Sequence, residues 1–357
     1  MGQPEDGHGG TVRATPLPAG LAPVVDLAGT AGPGTCWLLL TEDGRLTRWE
    51  SDTGTHRVLA TSSVAVPADA EPWDGHVPRL HLHASADGRF AAVVVDHGSA
   101  GEVFDLATGA RTMVLDGGAY LPGTVPFALA FAEHEGRTVL VHRTDWNRLD
   151  AADPATGRSL TVRTTGPDAE GRPAAHDLDY FHGALHVSPG GDRIADDGWI
   201  WHPVGSCEIW SLPAWLGGNP YESEDGPTRV STGCTDHHWN RPMAWLDDRL
   251  LAVGGLGDDD RAMTPGARIH DAARRGPDGL TTEVLAFAGP DGAFFAHAGL
   301  LYSAGPGGLE IWNPADGARL GTVPGFRPTH LHRAAGEFAR VEGDRLLRWR
   351  PGPPDGA

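Results

Sequence analysis

Histidine is the residue whose type and spacing most directly suggest chemistry in this sequence. The chain contains 18 His, and three pairs lie at even separations, so that both members of a pair would share one side of an extended strand. These pairs are His81 and His83, His182 and His186, and His330 and His332. Because neutral imidazoles are good ligands for zinc, copper or iron, one hypothesis is a divalent transition metal held by His83, His186 and His332. The alternative is that these imidazoles donate hydrogen bonds to backbone carbonyls.

A second set of reactive residue types lies in five irregular segments that interrupt the strand-like runs. These segments combine His, Asp, Arg and aromatic residues, and they are 144–148, 175–182, 198–203, 235–241 and 257–261. An imidazole beside a carboxylate can act as a general base. The catalytic candidates are therefore three imidazoles and two carboxylates that would orient them, namely His182, His237, His238, Asp179 and Asp236.

The same segments contain the residues that we predict to bind a ligand. Trp and Arg dominate the binding energy of protein interfaces, and Arg can also hold an anionic group. Irregular loops on a rigid scaffold are common places for binding sites. The predicted ligand-binding residues are Asp145, Trp146, Arg148, Tyr180, Trp201, His202, Trp239 and Arg241. For the tryptophans of segment 198–203, the alternative is packing between neighbouring structural units.

Other catalytic patterns are weak. The sequence contains no Gly-x-Ser-x-Gly motif and no Walker phosphate-binding loop. The three cysteines, Cys36, Cys207 and Cys234, include no Cys-x-x-Cys pair, which argues against a disulfide framework and against a thiolate zinc site. Because no nucleotide-cofactor motif is present, an enzyme with this sequence would be a lyase or hydrolase rather than a redox enzyme.

The charge balance excludes two classes of partner. Lys and Arg number 28 against 47 Asp and Glu, which gives a formal net charge of −19. Such a chain repels phosphate backbones and anionic lipid surfaces, so we expect no binding to nucleic acid or to membranes. The first residues lack the features of a signal peptide, and no run approaches the roughly 18 apolar residues of a membrane span. We therefore expect a soluble, cytoplasmic monomer that binds a protein partner or a small polar ligand.

The elements that position these residues follow from the 50 Gly and 29 Pro among 357 residues. Since both residues are unfavourable inside helices, the composition predicts a turn-rich, mostly β protein. Similar turns between strand-like runs recur at 52–54, 107–109, 155–157 and 315–317. In three of them an aromatic residue stands five positions before the turn glycine, at Trp49, Phe104 and Trp312. Counting related runs, seven units recur about every 50 residues, which is the period of a β-propeller blade.

Segments 82–89 and 185–191 resemble the first strand and turn of blades in WD-repeat and related bacterial propellers. The Trp or Phe before the Thr-Gly turn is similar to the third strand of such blades. This resemblance covers nearly the whole chain and implies an all-β fold, a seven-bladed β-propeller in which residues 1–357 form a single domain. Each blade would have four strands, A to D from the channel outwards. The resemblance implies no particular function, because propellers host many unrelated functions.

The two ends of the chain are predicted to meet in the last blade. Its third strand ends near Trp349, and the Pro-rich residues that follow leave no fourth strand. The β-branched segment 11–15 would supply that strand, which closes the ring and removes its open edges. Residues 1–18 are therefore predicted to form an N-terminal tail and closing strand, and residues 350–357 a flexible C-terminal tail.

Such a fold would gather the five irregular segments on one face. In a propeller the D–A and B–C loops lie on the same face, and the segments belong to such loops in the neighbouring blades 3 to 5. The first hypothesis is a binding module that recognises a protein or a small polar ligand on this face. The second is a metal-dependent or histidine-based enzyme, a lyase or hydrolase, that acts on a small polar substrate at the channel mouth.

Overall fold

Short strands and tight turns alternate along the chain in the computed structural model, which describes residues 10–73, 75–164, 170 and 176–352. The strands are, in chain order, β1 (Arg13–Pro16), β2 (Val24–Thr30), β3 (Cys36–Thr41), β4 (Arg45–Glu50), β5 (His56–Thr61), β6 (Arg79–Ala84), β7 (Phe90–Asp96), β8 (Ala100–Asp105), β9 (Ala110–Asp116), β10 (Leu129–His134), β11 (Arg137–Asp145), β12 (Arg148–Ala152), β13 (Phe181–Val187), β14 (Arg193–Ile200), β15 (Val204–Ser211), β16 (Val230–Asp236), β17 (Met243–Trp245), β18 (Leu250–Leu256), β19 (Thr264–Arg275), β20 (Thr281–Ala288), β21 (Ala293–His297), β22 (Leu300–Gly305), β23 (Gly308–Trp312), β24 (Arg319–Pro324), β25 (His330–His332), β26 (Glu337–Glu342) and β27 (Arg345–Trp349).

Helical structure is confined to short connections. The helices α1 (Leu212–Gly217) and α2 (Glu222–Asp225) link β15 to β16, and single 3₁₀ turns lie at Asp260–Ala262 and Arg333–Ala335. Along the described part of the chain, no helix has the length and apolar character needed to cross a membrane.

The strands form seven antiparallel sheets, which are the blades of a β-propeller. Blades 1 to 6 consist of β2–β5, β6–β9, β10–β12, β13–β16, β17–β20 and β21–β24, and blade 7 consists of β25–β27 with β1. Six of these sheets have four strands, and blade 3 has three within the described ranges. Its fourth position is taken by an irregular segment, where Leu160 N donates to Ala151 O at 2.7 Å. The seven-bladed fold predicted from the sequence is confirmed.

The ring closes through the N-terminal strand, as the sequence predicts. Strand β1 pairs antiparallel with β27, with Arg13 opposite Arg348 and Pro16 opposite Arg345. Next to this ladder, the indole Nε1 of Trp349 donates to the carbonyl of Gly10 at 2.8 Å. The predicted tails fall partly on residues 1–9 and 353–357, which lie outside the described residues.

The core lies between adjacent blades, where the second and third strands are covered on both sides. Strand β3 is therefore apolar along almost its whole length, and all six of its residues are buried. The tryptophans that follow the repeat are buried in this core, and they are Trp49, Trp210, Trp312 and Trp349. The tryptophans of the repeat therefore belong to the core of the propeller.

The repeated turns require glycine for steric reasons. Gly44, in the B–C turn of blade 1, has φ of 80°, and a Cβ built there would lie 2.3 Å from the carbonyl oxygen of Ser62. Gly109, in the C–D turn of blade 2, has φ of 76°, and its Cβ would lie 2.6 Å from Leu59 O. A side chain at either position would combine an unfavourable backbone conformation with a collision.

Candidate functional site

The D–A and B–C loops of blades 3 to 5 lie at one end of the propeller, and we call this surface the loop face. Trp146 occupies the B–C turn of blade 3 between β11 and β12, and residues 201–203 form the B–C turn of blade 4 between β14 and β15. Segment 237–242 connects β16 to β17 as a D–A loop. The loops contact one another, since Asp236 N donates to Asp258 O at 2.9 Å. The fold therefore brings the predicted segments together.

Aromatic side chains from these loops pack into one continuous cluster. The Phe181 ring lies 4.6 Å from that of Trp146 and 4.5 Å from that of Trp199, centroid to centroid. Trp239 extends the cluster at 5.6 Å from Trp199. We call this group the aromatic cluster, and its members are Trp73, Tyr120, Trp146, Phe181, Trp199, Trp201 and Trp239.

The aromatic cluster extends beyond the blades that the sequence singled out. Trp73, in the loop that enters blade 2, lies 5.8 Å from Trp239, in the loop that enters blade 5. Because blades 2 and 5 are not neighbours in the ring, this contact reaches over the end of the central channel. Trp239 Nε1 also donates to Thr124 O, in the loop that enters blade 3, at 3.0 Å. Trp73 and Tyr120 were not among the predicted site residues, because both lie in loops outside the five irregular segments.

Part of the aromatic cluster remains accessible to a partner. Tyr120 is 48% exposed and Trp201 is 39% exposed, whereas Trp199 is only 3% exposed. Trp146 is half-buried and lies 5.4 Å from the Tyr120 ring. We call Tyr120, Trp146 and Trp201 the aromatic ledge. Trp199 therefore packs between blades, and Trp201 presents its surface to solvent.

The loop face also concentrates backbone strain. Among the described residues, eight non-glycine residues have positive φ, and six of them lie in D–A or B–C loops, namely His97, Leu121, His176, His202, His237 and Asn240. The exposed His202 has φ of 114°, a conformation that costs free energy in a residue with a side chain. Such strain persists only where the surrounding structure holds the loop in place, and it is concentrated at functional sites.

Two predicted site residues are buried below this surface. The hydroxyl of Tyr180 lies 3.0 Å from the backbone carbonyls of both Asp196 and Ser206, to which it can donate a hydrogen bond. His182 Nδ1 lies 2.5 Å from Asp196 Oδ2. The carboxylate that orients His182 is thus Asp196, on the adjacent strand, and not Asp179, which is exposed. Burial raises the pKa of Asp196, and the nearby imidazole offsets part of that rise.

The two arginines predicted to hold an anion are both engaged with carboxylates. Arg241 is buried, and its Nη2 and Nε lie 2.9 and 3.1 Å from Asp197 Oδ1. Burial alone would lower the pKa of Arg241, but the neighbouring groups, of which Asp197 is the most important, together outweigh burial and raise it. Arg148 Nη2 lies 2.9 Å from Asp150 Oδ2. Arg241 therefore anchors the loop that carries Trp239.

The remaining imidazoles of the loop face are not arranged as the sequence suggested. His237 is exposed and has φ of 55°. His238 Nδ1 lies 3.8 Å from Asp260 Oδ1, a residue in the B–C loop of blade 5, so Asp236 is not the carboxylate that this ion pair uses. Burial lowers the pKa of His238. In the structure, His182 and His238 therefore pair with Asp196 and Asp260, and not with the predicted carboxylates Asp179 and Asp236.

The first strands of the blades line a central channel with a volume of about 900 Å³. The three histidines predicted to bind a metal, His83, His186 and His332, all line this channel, from blades 2, 4 and 7. Both nitrogens of His332 are occupied, because Nε2 donates to Cys36 O at 3.0 Å and Nδ1 accepts from Ala335 N. Within the described ranges, no group of three or more His, Cys, Asp or Glu side chains is arranged to hold a metal ion.

A buried carboxylate between two imidazoles is a feature of the channel wall that the sequence analysis missed. Asp26 Oδ2 lies 2.9 Å from His81 Nδ1, and Asp26 Oδ1 lies 2.9 Å from His330 Nε2. Burial would raise the pKa of Asp26, and the two imidazoles hold it well below 3.8 instead. The strand positions could have predicted the pairing of Asp26 with His81, because each is the third residue of the first strand of its blade and blades 1 and 2 are neighbours.

Comparisons with known proteins identify the fold and no family. No family model matches the chain, and no curated protein matches it. Among solved structures, a chain of the one titled "Crystal Structure of Mitotic Checkpoint Complex" is similar with a TM-score of 0.57 and 14% identity, over 98% of this chain and 94% of that chain. The likeness spans the whole propeller, so the resemblance to WD-repeat propellers is confirmed for the fold.

Proposed function

We propose that this protein is a binding module for a protein partner, which docks on the loop face over blades 3 to 5. The observation that carries this proposal is the aromatic ledge, where Tyr120 and Trp201 are exposed above a packed layer of buried rings. Exposed aromatic side chains on a rigid support bind with little loss of conformational entropy. The fold supports the proposal in general terms, since a similar chain occurs in a solved structure titled as a complex.

A protein partner is favoured over a small polar ligand. The polar anchors expected for a small ligand, Arg148 and Arg241, are engaged with Asp150 and Asp197. The enzyme hypothesis finds less support for a related reason, because His182 is buried against Asp196. The loop face presents aromatic surface and carboxylates to solvent, together with the imidazoles of His202 and His237 and the guanidinium of Arg261. This mixture is suited to an extended contact with another chain.

The charges around the aromatic ledge define the chemistry of the partner. Exposed carboxylates on the loops of this face are Asp145, Asp177, Asp179, Asp236, Asp258 and Asp260. The whole chain is acidic as well, with a net charge of −19. Complementary charge accelerates association and excludes acidic competitors. The partner segment is therefore a basic one, with Lys or Arg beside an apolar or aromatic residue that covers the ledge.

The proposal can be tested with defined peptides. The probes are short synthetic peptides in which Lys and Arg flank one Leu, Phe or Trp, and a matched set carries Asp and Glu instead. Fluorescence anisotropy should show saturable binding of the basic set, weakened by added salt. Trp201→Ala and Tyr120→Ala should each weaken binding about tenfold or more.

A matched control tests whether peptide binding depends on the aromatic ledge or on any exposed apolar side chain. Leu320 is 39% exposed, like Trp201, and lies on the outer strand of blade 6. Leu320→Ala should therefore leave peptide binding unchanged. Binding that survives Trp201→Ala and Tyr120→Ala, or equal binding of the acidic set, would contradict the proposed docking surface.

A further inference from the structure

The end of the central channel opposite the loop face, where the A–B turns lie, carries a set of nitrogen donors. His83 and His186 are each the second-to-last residue of their strand A, and His297 is the last residue of its own. Arg333 directly follows the first strand of blade 7. All four residues line the channel. Because strands A run in the same direction along the channel, these side chains belong to one level near its mouth, which we call the turn end.

The donors at the turn end are available for a ligand. His83 Nε2 is buried and has no hydrogen-bond partner among the described residues, which is costly for a polar atom unless something binds it. Within the same residues, no carboxylate lies within ion-pair distance of Arg333. The neighbouring His332 differs, because both of its ring nitrogens are occupied by backbone groups.

The electrostatics of the channel contrast with those of the rest of the molecule. The chain is strongly acidic, yet the carboxylate that lines the turn end, Glu133, is exposed and accepts a hydrogen bond from Thr138. Asp26, in the channel wall, is compensated by two imidazoles. Imidazole N–H groups and one guanidinium thus dominate the lining at this end.

We propose that the turn end of the channel binds a small polyanion, a molecule with two or more carboxylate or phosphate groups, through His83, His186, His297 and Arg333. These residues come from blades 2, 4, 6 and 7 and therefore surround the channel. A single carboxylate or phosphate group could not contact donors on all sides, whereas a molecule with two or more such groups could. The volume of about 900 Å³ lies within the range of small-molecule sites. The ligand enters from the turn end, because the aromatic cluster reaches over the other end.

Binding of an anion should take up protons. Burial lowers the pKa of His83 to about 3 and that of His186 to about 4, so both imidazoles are neutral in the empty channel. The groups that face His83 are His81, Asp96 and Asp26, and those that face His186 are Asp197 and Arg333. An anion beside these rings favours their protonated form. Affinity should therefore rise as the pH falls.

Isothermal titration calorimetry on the intact protein tests this proposal, with citrate as the carboxylate probe and pyrophosphate as the phosphate probe. We expect saturable binding of at least one probe, with proton uptake seen as a dependence of the heat on buffer ionisation enthalpy. Binding of citrate would identify the ligand's anionic groups as carboxylates, and binding of pyrophosphate would identify them as phosphates. Arg333→Gln and His186→Gln should each weaken binding about tenfold. Arg57→Gln and His56→Gln, on the exposed outer strand of blade 1, are the matched controls and should bind as the wild type does.

Two results would overturn the polyanion site. One is the absence of saturable binding of both probes, with circular dichroism confirming a folded protein. The other is binding that Arg333→Gln and His186→Gln leave unchanged. A parallel titration with Zn²⁺ separates the ligand classes, because zinc binding that needs His83 and His186, without binding of either anion, would replace the polyanion with a metal.

Discussion

The two ends of the central channel are built from the same seven first strands, yet they differ in their connections and in the side chains that they present. At the loop face, connections of variable length carry aromatic residues, and six non-glycine residues have positive φ. At the turn end, the A–B turns are tight, and the first strands themselves carry the functional groups, His83 and His186 among them. The comparison indicates that the candidate binding residues of the loop face lie in irregular loops, whereas those of the turn end lie on or directly after the repeated first strands.

The largest expected effect comes from opening the ring, on which both ends depend. Deletion of residues 1–18 removes β1 and its pairing with β27. It exposes the outer edge of β27 and removes the hydrogen bond from the Trp349 indole to Gly10 O. We expect the melting temperature in differential scanning calorimetry to fall by about 10 °C or more. An unchanged melting temperature would show that β1 does not hold the ring closed.

A smaller but still large effect is expected from the buried ion pair under the loop face. Arg241→Met leaves Asp197 buried without its partner, which should lower the free energy of unfolding by about 3 kcal/mol or more. The matched variant is Arg268→Met, whose partner Glu283 is exposed, and it should cost less than about 1 kcal/mol. Urea denaturation measures both. Equal losses would mean that Arg241 does not anchor the Trp239 loop.

The smallest effect distinguishes the turn end and appears only as a dependence on pH. Since burial lowers the pKa of His83 to about 3, the unfolded chain binds a proton that the folded chain does not, once the pH falls below about 6.5. His83→Gln should therefore gain stability relative to the wild type on acidification, by about 1 kcal/mol per pH unit. Denaturation curves between about pH 6.5 and pH 4.5 test this. A stability difference between His83→Gln and the wild type that stays constant over this pH range would contradict the burial of His83.

The fold was predictable because the repeat is local. Asp-Gly and Thr-Gly turns recur in four of the units, and in three of these an aromatic residue such as Trp49 or Trp312 stands at a fixed distance before the glycine. Residues close together in the sequence therefore define the unit. Ring closure was predictable from the strand missing after Trp349. The depth of a residue within a loop was not predictable, because Tyr180 and Trp201 belong to similar segments and only their packing makes one buried and the other exposed.

The partners of side chains on different strands and loops could not be predicted from the sequence either. His182 pairs with Asp196, and Arg241 pairs with Asp197, because the pleat of β14 directs these two neighbouring carboxylates to opposite sides. The contact of Trp73 with Trp239 joins loops of blades 2 and 5, and no local pattern connects residues so far apart. The loop face was therefore predicted as a region, while its accessible residues required the structure.

Hydrogen–deuterium exchange on the wild-type protein, with and without the tightest-binding basic peptide, tests whether a partner docks on the loop face. We expect the peptide to slow exchange in the segments around Tyr120, Trp146 and Trp201, and to leave exchange in the A–B turns at the other end of the channel unchanged. Protection confined to the A–B turns, or no protection of the loop face at saturating peptide, would contradict this docking.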